Sequence, residues 1–252
     1  MARPQPPGFF ARWSRDPLGP AKEHRWGIGA FVLVIAVLVL SAVVLAAILA
    51  PGASPGPVPM MTVLAGTIVP AVLAAAAALL ATVLRGNGPV IDLRLRFSAA
   101  DIRTGLKLGA AGLVLTIVAV EIWTQIVGAQ NATSAIGALV ENGKLALVPA
   151  IVTFLYTWLL GPICEEIIFR GLCWGAIEHR WGRWWAFGLS TVIFAASHLE
   201  PLRTSLLLVI SIPIALGRLF TGRLAASVVA HQVNNFLPAL AVLLIALGVM
   251  PA

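Results

Sequence analysis

An all-α, polytopic transmembrane helix bundle of seven to eight spans is the fold class that this 252-residue sequence predicts. Three observations carry that expectation. Hydrophobic residues make up 60% of the chain and charged residues 11%, against roughly 45–50% and about 25% in soluble domains. Residues 27–50, 51–84, 145–164 and 224–252 contain no Asp, Glu, Lys or Arg, and about 20 apolar residues suffice to cross a bilayer as a helix. The 17 cations fall largely between the apolar runs, where cytoplasmic loops would hold them.

The elements follow in order. Residues 1–26 form a proline-rich basic tail with Arg3, Arg12, Arg15, Lys22 and Arg25, suited to anionic headgroups. The first span, 27–50, is too long for a signal-peptide core of about 7–15 residues. A PGASPGPVP connection follows, kept from helicity by its prolines. The second span is expected at about 60–84, a polar segment at 85–107, and the third span from there to about Gly128. Residues 27–144 thus make an amino-terminal set of spans, and 145–252 a second region.

Alternating the segments across the membrane tests the topology. With the amino terminus cytoplasmic, segments 1–26, 85–107, 180–183 and 218–223 collect 5, 5, 2 and 2 Lys or Arg, while 51–58, 129–144 and 198–204 collect 0, 1 and 1. The net charge of +7 therefore reports membrane orientation, and the expected partner is the lipid bilayer, not nucleic acid. Asn131-Ala132-Thr133 is a sequon on the outer side, a weak signal by itself. Cys164 and Cys173 are neither a CxxC pair nor a disulfide framework and read as small core residues.

Polar residues enter the membrane only in the second region. Glu165, Glu166, Arg170, His198, His231, Asn234 and Asn235 lie within or beside apolar stretches. Ionisable groups at that depth cost at least about 2.5–3.5 kcal/mol each on translocon scales, so their concentration argues for a functional interior over a plain interhelical hydrogen-bond network. Glu166 and Arg170 are four apart in the favourable order for an ion pair. Glu165 is left on another face, about 100° away, without a local counter-ion.

Hairpin arithmetic supplies a partner. Residues 178–183 read as a cytoplasmic turn, with Trp181, Trp184 and Trp185 as an interfacial belt. Glu165 and His198 are equidistant from its midpoint, each roughly 20–25 Å up its own helix, so they can face one another. His231 and Asn235 share one helical face, but His231 is only about 14 Å above its turn at Thr221-Gly222. Pro162, just before the glutamates, can kink the helix and free backbone groups near the site. Pro238 is expected to break the last stretch, which leaves the choice between seven and eight spans open.

The segments EEIIFR (Glu165–Arg170), FAASH (Phe194–His198) and HQVNN (His231–Asn235) resemble the three motifs of the CPBP intramembrane proteases. That family joins the type II CAAX prenyl endopeptidases to bacterial relatives, some tied to bacteriocin processing or immunity. All three motifs occur in order on successive segments, and the resemblance covers about residues 145–240. It implies a glutamate-type intramembrane peptidase acting on membrane-associated, CAAX-type substrates. Glu165 would be the general base and His198 its partner on the hydrolytic water. His231 and Asn235 would stabilise the oxyanion, with Glu166 and Arg170 bracing the site. The chemistry agrees: a glutamate opposite a histidine activates water, and two polar side chains on a third helix suit an oxyanion hole. Water must reach Glu165, so a polar cavity open to the cytoplasmic side is expected.

Two other readings compete. Glu165, His198 and His231 could ligate zinc, although no HExxH is present and the metal-free route is preferred. A non-enzymatic immunity or scaffold protein, or a small transporter, would also carry intramembrane charge. A scaffold has no need for Glu165 beside an already paired Glu166 and Arg170, and the lack of an internal repeat weighs against a transporter. His24 and His179 read as interfacial, as does Glu121 beside Trp123. Gly217 and Gly222 read as sites of helix contact or turning, and Cys164 has no base beside it that would make it a nucleophile.

Overall fold

The computed structural model describes residues 25–49, 60–128, 131–132 and 145–250. The tail before Arg25 with His24, the PGASPGPVP connection and residues 133–144 lie outside the described residues. Eight helices follow one another among those described: α1 (Ile28–Leu49), α2 (Met60–Arg85), the single turn α3 (Pro89–Asp92), α4 (Ala99–Val127), α5 (Leu147–Trp181), α6 (Arg183–Ser197), α7 (Thr204–Thr221) and α8 (Leu224–Ala246). Six of them, all but α3 and α6, are long and apolar enough to cross a membrane. The chain is a multi-pass, all-α membrane protein.

Helix α6 has 15 residues, about 22 Å of rise against a hydrocarbon core of about 30 Å. It ends at the level of His198 instead of crossing fully. With α6 counted the bundle has seven legs. The break expected at Pro238 does not occur, because α8 runs unbroken from Leu224 to Ala246. In a membrane bundle a proline's lost hydrogen bond is re-satisfied by neighbouring groups, and α2 and α7 likewise contain Pro70 and Pro213 without ending.

The charge pattern is reproduced spatially. Segments assigned to the cytoplasm share one end of the bundle: Arg25 N–H donates to Arg85 O at 2.7 Å, Leu224 N–H to Arg94 O at 3.1 Å, and Arg223 pairs with Asp101 at 3.0 Å. The opposite end holds Trp123, Leu145, Leu202 and Ala246. There Trp123 Nε1 donates to Leu202 O at 2.9 Å and Leu145 N–H to Ala246 O at 2.8 Å. Trp181, Trp184 and Trp185 are exposed beside the α5–α6 turn, as an interfacial belt requires. That turn is made by Gly182 at φ 83, and the α7–α8 turn by Gly222 at φ 65, a region that a side chain rarely enters.

The front spans are packed into the second region. Ala74, Ala75 and Ala78 of α2 and Val34 of α1 join Ile168, Phe169, Phe194 and Val228 in one buried cluster. Small residues let the backbones approach where lipid supplies no hydrophobic drive between helices. The same device joins α4 to α8, where a Cβ on Gly109 would fall 2.6 Å from Val233 Cβ. Cys164 and Cys173 are buried free thiols inside this packing.

Candidate active site

Helix α5 is not a uniform α-helix. Two π-type stretches, Tyr156–Leu160 and Ile167–Cys173, flank the α-helical segment Gly161–Glu166 that carries both glutamates. The sequence accounts for the first. Gly161 N–H bonds back to Tyr156 O, and Pro162 has no N–H to offer. Thr157 O is thereby left to another donor, and Asn235 Nδ2 of α8 donates to it at 3.2 Å. Pro162 thus frees a backbone group, as the sequence suggests, and that group anchors one of the candidate site residues. Such π turns recur at functional sites because they re-aim side chains.

The centre of the cluster is His231. Its Nδ1 lies 2.9 Å from Glu166 Oε1, and its Nε2 lies 3.6 Å from Glu165 Oε2. Arg170 Nη1 donates to the same Glu166 Oε1 at 3.2 Å. Glu166 and Arg170 are fully buried and His231 nearly so, whereas the Glu165 side chain is 30% exposed. The two adjacent glutamates therefore differ in kind: Glu166 is locked between two cationic or donor groups, while Glu165 faces accessible space. Removing one member of a buried pair of this sort costs about 3–5 kcal/mol. Arg170 has one further neighbour, the Phe194 ring 4.2 Å below its guanidinium, a cation–π contact.

The expected approach of His198 to Glu165 is not a direct contact. His198 caps the C-terminus of α6, its Nδ1 2.9 Å from Phe194 O and its ring edge-on to Phe194 at 4.8 Å. Phe194 also meets His231 edge-on at 5.9 Å, so this one ring separates and orients both histidines. Depth counting missed the difference for two reasons. The π turns change the rotation per residue along α5, and α6 stops at Ser197, with Leu199 at φ 55 turning the chain away. A left-handed leucine is sterically strained and occurs directly after the candidate histidine. The shallower count for His231 is absorbed, since it reaches both glutamates.

Asn234 takes no part in this cluster; its Oδ1 accepts a hydrogen bond from Thr116 of α4 at 2.8 Å. Thr116 is the residue that sequence inspection passed over, because a lone threonine in an apolar span carries no pattern. An aromatic group stands one step beyond Asn235, with Trp158 and Phe236 centroids 5.1 Å apart and Phe154 against both. Glu121 is at the outer end, accepting from Gln125 at 2.9 Å on an exposed face.

Glu165, His198 and His231 are not gathered as a metal-binding trio. Among the described residues no group of three His, Cys, Asp or Glu side chains is arranged to hold an ion, and His231 Nδ1 is already engaged by Glu166. A cavity of about 570 Å³ lies around Trp174 and Arg218, at the end of the bundle that holds the α5–α6 and α7–α8 turns; it does not include Glu165.

Residues 147–237 match the Rce1-like family of type II CAAX prenyl endopeptidases. The match is consistent with the CPBP family, whose members are proteases, and it encloses all three motifs. No curated protein and no solved structure matches the chain.

Proposed function

On that match we propose that the protein is an intramembrane endopeptidase that cleaves membrane-associated, CAAX-type lipidated peptides with water activated by Glu165. The observation that carries this reading is the pairing of an accessible Glu165 with a His231 whose ring is fixed by buried Glu166. Glu165 removes a proton from water as the water oxygen attacks the peptide carbonyl carbon. His198, half-buried on the other side of Phe194, holds that water. The carbonyl oxygen becomes an oxyanion and takes hydrogen bonds from His231 and Asn235. A proton on Nε2 makes His231 a donor for this purpose. Collapse breaks the C–N bond, and the proton held by Glu165 passes to the leaving amine.

Phe154, Trp158 and Phe236 offer an apolar wall for a substrate lipid beside Asn235. The arginine-rich end faces the cytoplasm in this reading, with the amino terminus on the same side. No step requires a metal ion.

The test is cleavage of lipidated membrane peptides by purified wild type, Glu165→Gln and His198→Ala, with and without a strong chelator. General-base loss should lower the rate by about 10²–10⁴ in Glu165→Gln, with chelator without effect on wild type. No cleavage by wild type under any lipid condition would sink the peptidase reading. Chelator inactivation reversed by zinc would replace the proposed water activation with metal chemistry.

A further inference from the structure

We infer that the cavity at the loop end of the bundle is a binding site for a phosphate-bearing anion, separate from the peptidase centre. The cavity measures about 570 Å³, within the range of small-ligand sites. Arg94, Arg96, Arg183, Arg218 and Arg223 line it, together with one acid, Glu178. These residues come from the α3–α4 connection, the α5–α6 hairpin and the α7–α8 hairpin, so the concentration of charge is made by the fold and not by a basic run.

Arg218 is the informative member. It is 2% exposed on α7, and its Nε has no hydrogen-bond partner among the described residues. Its Nη1 donates to Gly222 O at 2.7 Å and its guanidinium lies 5.9 Å from the Trp174 ring. It forms no ion pair among the described residues. A guanidinium taken out of water without a direct ion pair is costly; Glu178 offsets its charge in part, and Arg94 adds to the repulsion. Arg223 is paired with Asp101 at 3.0 Å. Arg94 is exposed, at φ 58, its carbonyl accepting from Leu224. A phosphate placed here would meet donors on several sides, including an orphaned buried N–H. Guanidinium forks match phosphate oxygens in geometry as well as charge.

The substrate's own terminal carboxylate cannot be the occupant. Trp174 lies nine residues beyond Glu165 on α5, roughly 13 Å along the helix, and Glu178 roughly 20 Å. Three extended residues past a scissile bond reach at most about 11 Å. The exposed tryptophans beside the cavity place it at headgroup depth, where basic pockets between helices take anionic lipid headgroups. The phosphate can thus come from a lipid or from solution.

Native mass spectrometry of the full chain, purified in detergent and exchanged with either phosphatidylglycerol or phosphatidylcholine, separates the two sources. Inorganic phosphate is titrated in a parallel arm. Arg94→Asn with Arg183→Gln removes two exposed charges without disturbing buried packing, Asn being tolerant of positive φ; Arg218→Gln is examined beside it. Wild type should retain phosphatidylglycerol over phosphatidylcholine, and the double variant should bind it about 30-fold more weakly, the factor carried by two near-surface cations. Saturable phosphate binding lost in the variant, without lipid selectivity, supports a soluble anion at the same site. Binding of either anion that is unchanged in the variants, or no binding of either, overturns the inference. Peptide cleavage is not the readout, so this result stands apart from the peptidase reading.

Discussion

Replacing the two adjacent glutamates one at a time should separate chemistry from architecture. In Glu166→Gln the shape is kept but the negative charge is lost, leaving Arg170 fully buried above the Phe194 ring with no carboxylate. The change also weakens the 2.9 Å contact that fixes His231. An uncompensated buried charge costs about 3–5 kcal/mol. Glu165 is 30% exposed and makes a single 3.6 Å approach to His231, so Glu165→Gln should cost under about 1 kcal/mol while lowering cleavage by about 10²–10⁴. Equilibrium unfolding in mixed micelles measures the first quantity, and initial rates at a temperature where both variants are folded measure the second. The double variant Glu166→Gln/Arg170→Met should recover much of the lost stability, because it removes the stranded cation as well. Equal destabilisation by the two single substitutions, or a wild-type unfolding curve for Glu166→Gln, would refute the reasoning.

Helix packing gives a second contrast: Gly217→Ala should destabilise by about 1–3 kcal/mol, since its Cβ would sit 2.7 Å from Ser227 N. Gly188→Ala, with nothing within 4 Å, should be neutral or slightly stabilising in the same unfolding assay. Thr116→Val should cost about 0.5–1.5 kcal/mol through the bond to Asn234, and a double-mutant cycle with Asn234→Ala should show that the two losses do not add. For topology, exposed Phe97→Cys and Leu202→Cys should react with a membrane-impermeant thiol reagent from opposite faces of sealed vesicles; labelling from one face would contradict the bundle ends described above.

How far each feature was legible follows from the range of the interactions that set it. The apolar runs, the cation distribution, the turn at Gly182 and the pair Glu166–Arg170 are local, readable within one or two helical turns, and each is found where the spacing put it. The three motifs lie on the helices that carry the candidate site, and the family match covers them. Composition could not reveal that α2 and α4 of the front half pack against that site, through alanines and through glycines facing valines.

The sequence by itself determined a multi-pass helical bundle, because span length and charge segregation are set by the bilayer and need no partner residue. Only the tertiary structure decided which histidine meets which glutamate. His231 and Glu166 are separated by 65 residues, and their meeting depends on how α8 packs against α5, which no local spacing sets. Tertiary structure likewise brought arginines from separate chain segments around one cavity, where a scattered loop charge becomes a candidate site because the arginines outnumber the one lining acid.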